Sequence, residues 1–197
     1  MATFNGIAAA SDGIRTLLDR AIPSSPVASL RVDHFGGKQL QSPPGESEVV
    51  VSIWLYRVAP SSIRRSTPQF VTLDGETLLA PIPIDLFYLV TGWAKSPLLQ
   101  QQLVGWAIRV LDDTPVLPTA LLNDGPWAGV FRDGETVEVA LHPLTMQEEF
   151  DVWQVAQQSQ QPSASYVVRG LELETRTPRE EYPPVQTREW DYAKGPA

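Results

Sequence analysis

The chain has 197 residues, of which 43% are hydrophobic and 19% charged, a composition that supports one packed core and excludes a chain that is disordered throughout. Its net charge of −8 opposes the phosphate neutralisation that nucleic-acid binding requires, and its lack of cysteine excludes disulfides, thiolate chemistry and cysteine-bound zinc. No segment resembles an export signal or a membrane span, so we expect the protein to fold in the bacterial cytoplasm.

The first predicted elements are a helix, a strand and a long loop. Apolar residues at helical spacing predict an amphipathic helix over residues 7–22, stopped by Pro23. Residues 27–35 have the composition of a strand, and the Gly/Pro/Ser-rich residues 36–48 are typical of a surface loop.

The next element is a strand over residues 49–58, ended by Pro60. Both of its faces are largely apolar, which predicts a central strand covered on both sides. Strict alternation places Arg57 on the face of Val51. A guanidinium near the end of a covered strand must be paired or reach solvent, and Asp85 is a candidate partner if the next strand lies alongside.

The apolar run 78–94 predicts that neighbouring strand, and Pro81 and Pro83 restrict its start to an extended or edge conformation. A helix then begins with Ser96 as N-cap and Pro97 at the first helical position. It ends between Asp112 and Pro115, and its expected buried stripe comprises Leu99, Leu103, Trp106 and Val110.

The last third of the chain predicts a hairpin, a helix and a strand. Asp133 and Gly134 separate two alternating segments within residues 129–141, the usual signal for a tight hairpin. Thr145 and Glu148 form a capping box before a helix from about 146 to 157, and residues 166–174 alternate like a strand.

From about residue 175 the chain has four prolines, mixed charges and three aromatic residues, with too few aliphatic residues for a core. We therefore expect an α+β domain over residues 1–174 and an extended C-terminal arm over residues 175–197. Such an arm docks on a partner or wraps around its own domain.

Potential catalytic groups are few. His34 and His142 have no second ligand at a suitable spacing, and Asp112 and Asp113 are best explained as a solvated turn. Nucleophile, phosphate and dinucleotide motifs are lacking, so we expect no enzyme activity, no cofactor and no metal.

Two aromatic residues, Trp153 and Tyr166, resemble a ligand-stacking pair. Their positions on an amphipathic helix and at the start of a strand favour core or interface packing instead.

Five stretches resemble, in order and spacing, the cap or tail-terminator proteins of phage-tail-like contractile injection systems, a group that includes the antifeeding prophage. They are IRTLLDR, IWLYRVAPSSIRR, PIPIDLFYLVTGWA, LDDTPVLP and EEFDVWQVAQQSQQPSASYVVRGLELE. The scaffold positions that match the family pattern are Tyr56, Asp85, Tyr88, Trp153, Ser163 and Tyr166. Residues 127–139 and the arm do not fit that pattern.

The resemblance implies a mixed β-sheet flanked by helices and a non-enzymatic ring, expected to be a hexamer. Such a ring sits on the baseplate-distal end of the inner tube, ends tube growth and contacts the last layer of the contractile sheath. The ring joins a particle that lysis could release. The charge and hydropathy given above, rather than the resemblance, lead us to expect no nucleic-acid partner and no membrane insertion.

Two other functions remain open. One is a baseplate or neck adaptor ring of a similar particle, and the other is a small enzyme or ligand carrier with an apolar pocket near Trp54, Trp93 and Trp106.

Interfaces are expected in loops and in the arm, since proline and mixed charge suit surfaces that meet partners. Arg64 and Arg65 are either solvated or paired with an acidic surface of a neighbouring subunit, the tube or the sheath. The expected interface residues are Arg57, Ser61, Arg64, Arg65, Arg179, Tyr182, Trp190 and Tyr192.

Overall fold

The computed structural model describes residues 2–23, 29–42, 44–45, 47–62, 69–71, 77–175 and 177–178. Its helices are α1 (Gly6–Arg20), α2 (Gly37–Gln41), α3 (Pro97–Asp113), α4 (Thr119–Leu122) and α5 (Met146–Ala156), with a 3₁₀ turn at Gly125–Trp127. Its strands are β1 (Leu30–His34), β2 (Val49–Pro60), β3 (Gln69–Val71), β4 (Thr77–Leu79), β5 (Ile82–Trp93), β6 (Val116–Leu117), β7 (Val137–Leu141) and β8 (Ser163–Leu173).

The fold is a mixed sheet flanked by helices, as predicted. Six strands form the main sheet in the order β1-β2-β5-β8-β7-β6, and β3 and β4 form a separate two-stranded sheet. Only the β1–β2 pair of the main sheet is parallel, while the other neighbours are antiparallel. The predicted strand at 49–58 is therefore an interior strand, and its partner is the predicted apolar run.

Helices cover both faces of this sheet, but unequally. Residues of α1, α3 and α4 contribute to a large core on one face, which includes Ile14, Leu18 and Leu111. The other face carries a small core from α2, α5 and the sheet, which comprises Leu40, Val50, Trp54, Leu89, Trp93, Trp153 and Ala156. Both faces of β2 are buried over residues 50–54, as its apolar composition predicts.

Strand β5 occupies the middle of the sheet rather than an edge, so the edge alternative for its start is wrong. Pro83 pairs with Glu172 near the beginning of the strand, where a missing N–H is tolerated. The carbonyl of Pro83 accepts a hydrogen bond from the N–H of Ser61 at 3.0 Å. Further along the strand, Gly92 permits the close approach of α3, since a Cβ there would lie 2.7 Å from the carbonyl oxygen of Gln100.

Helix α3 has the predicted bounds but a partly different buried stripe. Ser96 is the N-cap residue without a side-chain capping bond, and Pro97 occupies the first turn. The buried residues are Leu103, Val104, Ala107 and Leu111. Leu99, Trp106 and Val110 are only partly buried at the flank of the large core. The helix is therefore rotated relative to the predicted stripe.

The predicted hairpin at residues 129–141 is wrong. A turn does form, with Gly134 at φ 82° and the N–H of Glu135 donating to the carbonyl of Arg132, but the residues before it form no strand. Instead, the Asn123 side chain bonds both the N–H and the carbonyl of Phe131, each at 2.9 Å. A side-chain amide thus replaces the strand partner that alternation would supply.

One further difference and one agreement concern local elements. The loop predicted at 36–48 contains α2, where the Gln39 side chain accepts from the N–H of Gly36 at 3.0 Å. The capping box at Thr145 and Glu148 is confirmed, because the Glu148 N–H donates to Thr145 Oγ1 and the Glu148 carboxylate accepts from the Thr145 N–H.

Candidate functional site

Two of the eight expected interface residues, Arg57 and Ser61, belong to the described part of the chain. Ser61 follows β2 directly, and its backbone is tied to Pro83. The other six lie outside the described residues: Arg64, Arg65, Arg179, Tyr182, Trp190 and Tyr192. Of the expected interface, the structure thus shows the positions of Arg57 and Ser61.

A β-bulge in β2 decides where Arg57 points. Leu55 pairs with Tyr88 and Arg57 with Phe87, so Tyr56 is the extra residue. The bulge reverses the alternation and moves Arg57 from the face of Val51 to that of Trp54. The sequence-based assignment of Arg57 to the Val51 face is therefore wrong.

Arg57 reaches solvent, where its guanidinium carbon lies 5.1 Å from the centre of the Phe87 ring. The expected partner Asp85 does lie on the adjacent strand, paired with Ala59. However, Asp85 Oδ1 accepts from the N–H of Gly170 at 2.8 Å. Gly170 has φ 63° and lies at a second bulge, in β8, so Asp85 stabilises that bulge.

A groove of about 290 Å³ lies beside Arg57, between β2 and α5; we call it the bulge groove. Its lining combines aromatic, apolar and charged side chains: Trp54, Tyr56, Arg57, His142, Leu144, Glu148, Asp151, Val152 and Val155. Burial raises the pKa of Tyr56, whose hydroxyl is hydrogen-bonded to Ser165 Oγ at 3.1 Å. Hydrogen bonds from the Thr145 backbone and side chain lower the pKa of Glu148, so its carboxylate carries charge at neutral pH.

A second groove, of about 710 Å³, lies where β1 ends beside β2; we call it the edge groove. The first turns of α1 form one wall, and the residues from Phe35 to Gly37 form another. Ile53, Trp54 and Leu55 of β2 also line it. Since Leu55 packs against the large core and Trp54 belongs to the small one, the groove lies along the border between the two faces of the sheet.

Polar groups of the edge groove are largely bonded to each other. Asp12 accepts from Arg15 Nε at 2.7 Å and from the Trp127 indole at 3.0 Å. Burial opposes ionisation of Asp12, but these hydrogen bonds outweigh it and lower its pKa. The Ser11 and Tyr88 hydroxyls are 2.8 Å apart, and burial raises the pKa of Tyr88.

The two histidines contact a carboxylate and an aromatic ring, respectively. His34 Nε2 lies 3.6 Å from Asp12 Oδ1, and burial lowers the pKa of His34 despite that carboxylate. His142 meets the Phe87 ring edge to face at a centroid separation of 5.0 Å. Among the described residues, no group of three His, Asp or Glu side chains could hold a metal ion.

The carboxylates at the end of α3 are exposed and pair with a basic residue of the same helix. Arg109 forms ion pairs with both Asp112 and Asp113. This arrangement agrees with the solvated turn expected from the sequence.

The positions matched to the family pattern form the scaffold around these grooves. Tyr88, Trp153 and Tyr166 are each at most 2% exposed, so both aromatic residues considered for ligand stacking are core residues. Ser163 pairs with Thr91 at the start of β8. Burial, with a smaller effect of Asp112, raises the pKa of Tyr166 to about 12.

The apolar pocket expected near three tryptophans does not form. Trp54 and Trp93 belong to the small core, whereas Trp106 packs against the large core on the opposite face. These residues therefore cannot line one ligand cavity, and this removes the feature that favoured a ligand carrier.

Sequence reasoning missed the grooves because the bulge creates one and the early end of β1 creates the other. The Gly170 bulge did have a signal, since an isolated glycine within an alternating strand indicates a bulge. For the Tyr56 bulge the sequence contains no such residue.

The fold, with a mixed sheet between unequal helical layers, is the one found in terminator proteins of contractile injection systems. It is similar to that of the sheath/tube terminator of an extracellular contractile injection system, PVC, in its extended state, with a TM-score of 0.61, 16% identity and coverage of 95% of this chain and 63% of that one. It is also similar to the tube-terminating cap of the anti-feeding prophage, with a TM-score of 0.56, 14% identity and coverage of 93% and 60%.

The chain belongs to the Pvc16 N-terminal domain family, whose sequence profile matches residues 9–187. No curated protein matches the sequence. The chain spans 63% and 60% of the two solved relatives, which are therefore longer proteins. Within the described residues, no helix has the length and apolar character needed to cross a membrane.

Proposed function

We propose that this chain is a cap, or tube terminator, of a contractile injection system. It forms a ring of six copies on the baseplate-distal end of the inner tube, ends tube growth and contacts the last sheath layer. Its role is structural rather than enzymatic. It assembles in the bacterial cytoplasm and remains part of the particle.

The observation that carries this proposal is the extent of the fold match. A sheath/tube terminator shares the fold over 95% of this chain, and the family profile covers residues 9–187. Similarity over nearly the whole chain includes both helical layers and the sheet. A local motif would have supported a much weaker inference.

Termination requires two unlike faces on one ring. In a cyclic ring, every subunit makes the same heterologous contact with its two neighbours. In addition, one end face of the ring must bind the tube, and the other must not bind a further layer. The expected contact regions are the loop from Ser61 to Arg65, residues 36–48 and the arm. Ser61, the first residue of that loop, is held to β5 by the hydrogen bond from its N–H to the carbonyl of Pro83.

In such a ring, contacts between nearby charges matter more than long-range repulsion between the negatively charged copies. Each copy carries a net charge of −8, but screening at cellular salt limits electrostatic effects to about 8 Å. Arg57 is exposed and turned towards the bulge groove by the Tyr56 bulge, so it is available to meet an acidic group of a neighbour. We assign Arg57 to the ring or tube contact on this basis.

Deletion of the chain from a cell that makes the particle tests the proposal. We expect tubes and sheaths of uncontrolled length, since nothing then stops subunit addition. Length distributions from electron microscopy of purified particles provide the measurement, and expression of the intact chain from a plasmid provides the control. Normal lengths in the deletion strain would contradict a terminating role.

The position of the protein separates a cap from an adaptor ring. A labelled copy is expected at the end of the tube opposite the baseplate. A label at the baseplate would instead favour the adaptor ring.

A further inference from the structure

The edge of β2 is only partly covered by β1. Strand β1 pairs with β2 from Val49 to Ile53, and the N–H of Phe35 extends the contact by one bond to the carbonyl of Ile53. Strand β2 continues to Pro60. Among the described residues no strand pairs with that remaining part of its outer edge.

Hydrogen-bond directions identify the backbone groups on this edge. The carbonyl of Ile53 faces β1, so alternation directs the N–H and carbonyl of Leu55 to the same side. After the bulge, the N–H of Ser61 faces β5. Val58 lies three residues earlier, so alternation directs its N–H and carbonyl to the opposite, outer side of the strand. Pro60 has no N–H and limits further pairing beyond this point.

The edge groove adds side-chain contacts to these backbone groups. It begins where β1 stops, holds about 710 Å³ and is lined by Leu55 on one side and Trp54 on the other. An extended segment placed there would continue the line of β1. Its alternate side chains would meet the α1 side and the Phe35 side of the groove, which is how an added strand gains both affinity and specificity.

The chain itself contains a segment suited to this position. Residues 185–192, VQTREWDY, contain neither proline nor glycine and follow the pair Pro183-Pro184. In an extended conformation Trp190 and Tyr192 share one face. The last described residue before this segment, Pro178, is paired with Leu78 of β4, and the residues between can span on the order of 20 Å.

We propose that residues 185–192 of one copy add as a strand to the open edge of β2 in a neighbouring copy, along the edge groove. Donor segment and acceptor edge lie on the same chain. Their exchange between copies therefore gives every subunit one donor contact and one acceptor contact, as a cyclic ring requires. This inference rests on the ring of the proposed function and identifies one of its contacts.

Engineered disulfides test this contact cleanly, because the chain has no cysteine. One form of the full chain carries Val58→Cys, and a second form of different tag mass carries either Thr187→Cys or Arg188→Cys, so that both faces of the donor are sampled. The matched control for the acceptor is Val116→Cys, since Val116 is also an exposed valine but lies on β6, at the opposite end of the main sheet. The two forms are expressed together, oxidised and separated by mass.

We expect a mixed disulfide with the Val58→Cys form at roughly ten times the yield of the control or more, since docking brings the thiols to millimolar effective concentration. The melting temperatures of the single-cysteine forms should match that of the unmodified chain. Equal yields at Val58 and Val116 in material that still forms rings would overturn the strand exchange while leaving the cap function intact.

Two other outcomes also overturn the proposal. A chain carrying both cysteines that links only within itself would show that the arm covers its own domain. If the chain is a monomer and forms no mixed disulfide, both the strand exchange and the ring are contradicted. The deletion strain would still test termination separately.

Discussion

Asp85 is a residue whose expected role and observed role differ. It was a candidate partner for Arg57, yet its carboxylate accepts from the Gly170 N–H at 2.8 Å. Gly170 lies at the β8 bulge with φ 63°. This contact matters because a bulge leaves an N–H outside the ladder, where a charged acceptor is a strong partner.

Asp85→Ala is expected to lower the free energy of unfolding by about 1.5–3 kcal/mol, since it leaves a partly buried N–H without its charged acceptor. Asp85→Asn keeps an acceptor oxygen at the same place, so its free energy of unfolding should fall clearly less than that of Asp85→Ala. Urea denaturation of both variants provides the measurement. An equal loss in Ala and Asn would mean that charge, rather than the hydrogen bond, explains the role of Asp85.

At the scale of elements, Gly92 controls the spacing between α3 and β5. A Cβ at this position would lie 2.7 Å from the Gln100 carbonyl and 3.0 Å from Leu103 Cβ. Backbone cannot move aside as a flexible side chain can, so the helix would have to shift away from the sheet. The residue that permits close packing is thus on the strand, while the helix supplies the buried stripe.

Gly92→Ala should destabilise the protein by about 1–3 kcal/mol through overpacking. Gly105→Ala, on helix α3, provides the control, since a Cβ at Gly105 meets nothing within 4 Å. That variant should gain about 0.5–1 kcal/mol because alanine is the better helix former. Thermal unfolding of both variants tests the pair, and a stable Gly92→Ala protein would contradict the steric argument.

Elements with local signals were predictable from the sequence, and those set by distant contacts were not. The capping box at Thr145 and the Ser96-Pro97 helix start depend on residues a few positions apart. The failed hairpin depends on Asn123, whose amide bonds Phe131. For the candidate site, the sequence predicted that Arg57 is either paired or reaches solvent, and the Tyr56 bulge that sets its direction depends on pairing with β5.

At the scale of the whole molecule, the surfaces that we propose for contact lie along one strand. The main sheet fixes β2, and the bulge groove and the edge groove both adjoin this strand. The loop with Arg64 and Arg65 follows the end of β2 in the sequence. One strand therefore connects the regions that we propose for contact with neighbouring subunits and the tube.

Arg64→Glu/Arg65→Glu tests whether this loop meets an acidic surface. We expect the double variant to fold normally but to fail in ring formation or termination, because close opposite charges become like charges. Arg64→Lys/Arg65→Lys keeps the charge and serves as the control. The measurements are oligomer mass and particle length, and a double Glu variant that caps normally would identify the two arginines as solvated charges.

The unequal layers on the two faces of the sheet imply unequal local stability. The small core rests on seven buried residues and two helices, of which α2 has only five residues. Such a layer can open at lower free energy than the layer containing α1 and α3, since it buries less apolar surface. The α2–α5 side can thus rearrange while the sheet stays folded, and in the proposed ring this would let a subunit adapt to its neighbours without losing its tertiary structure.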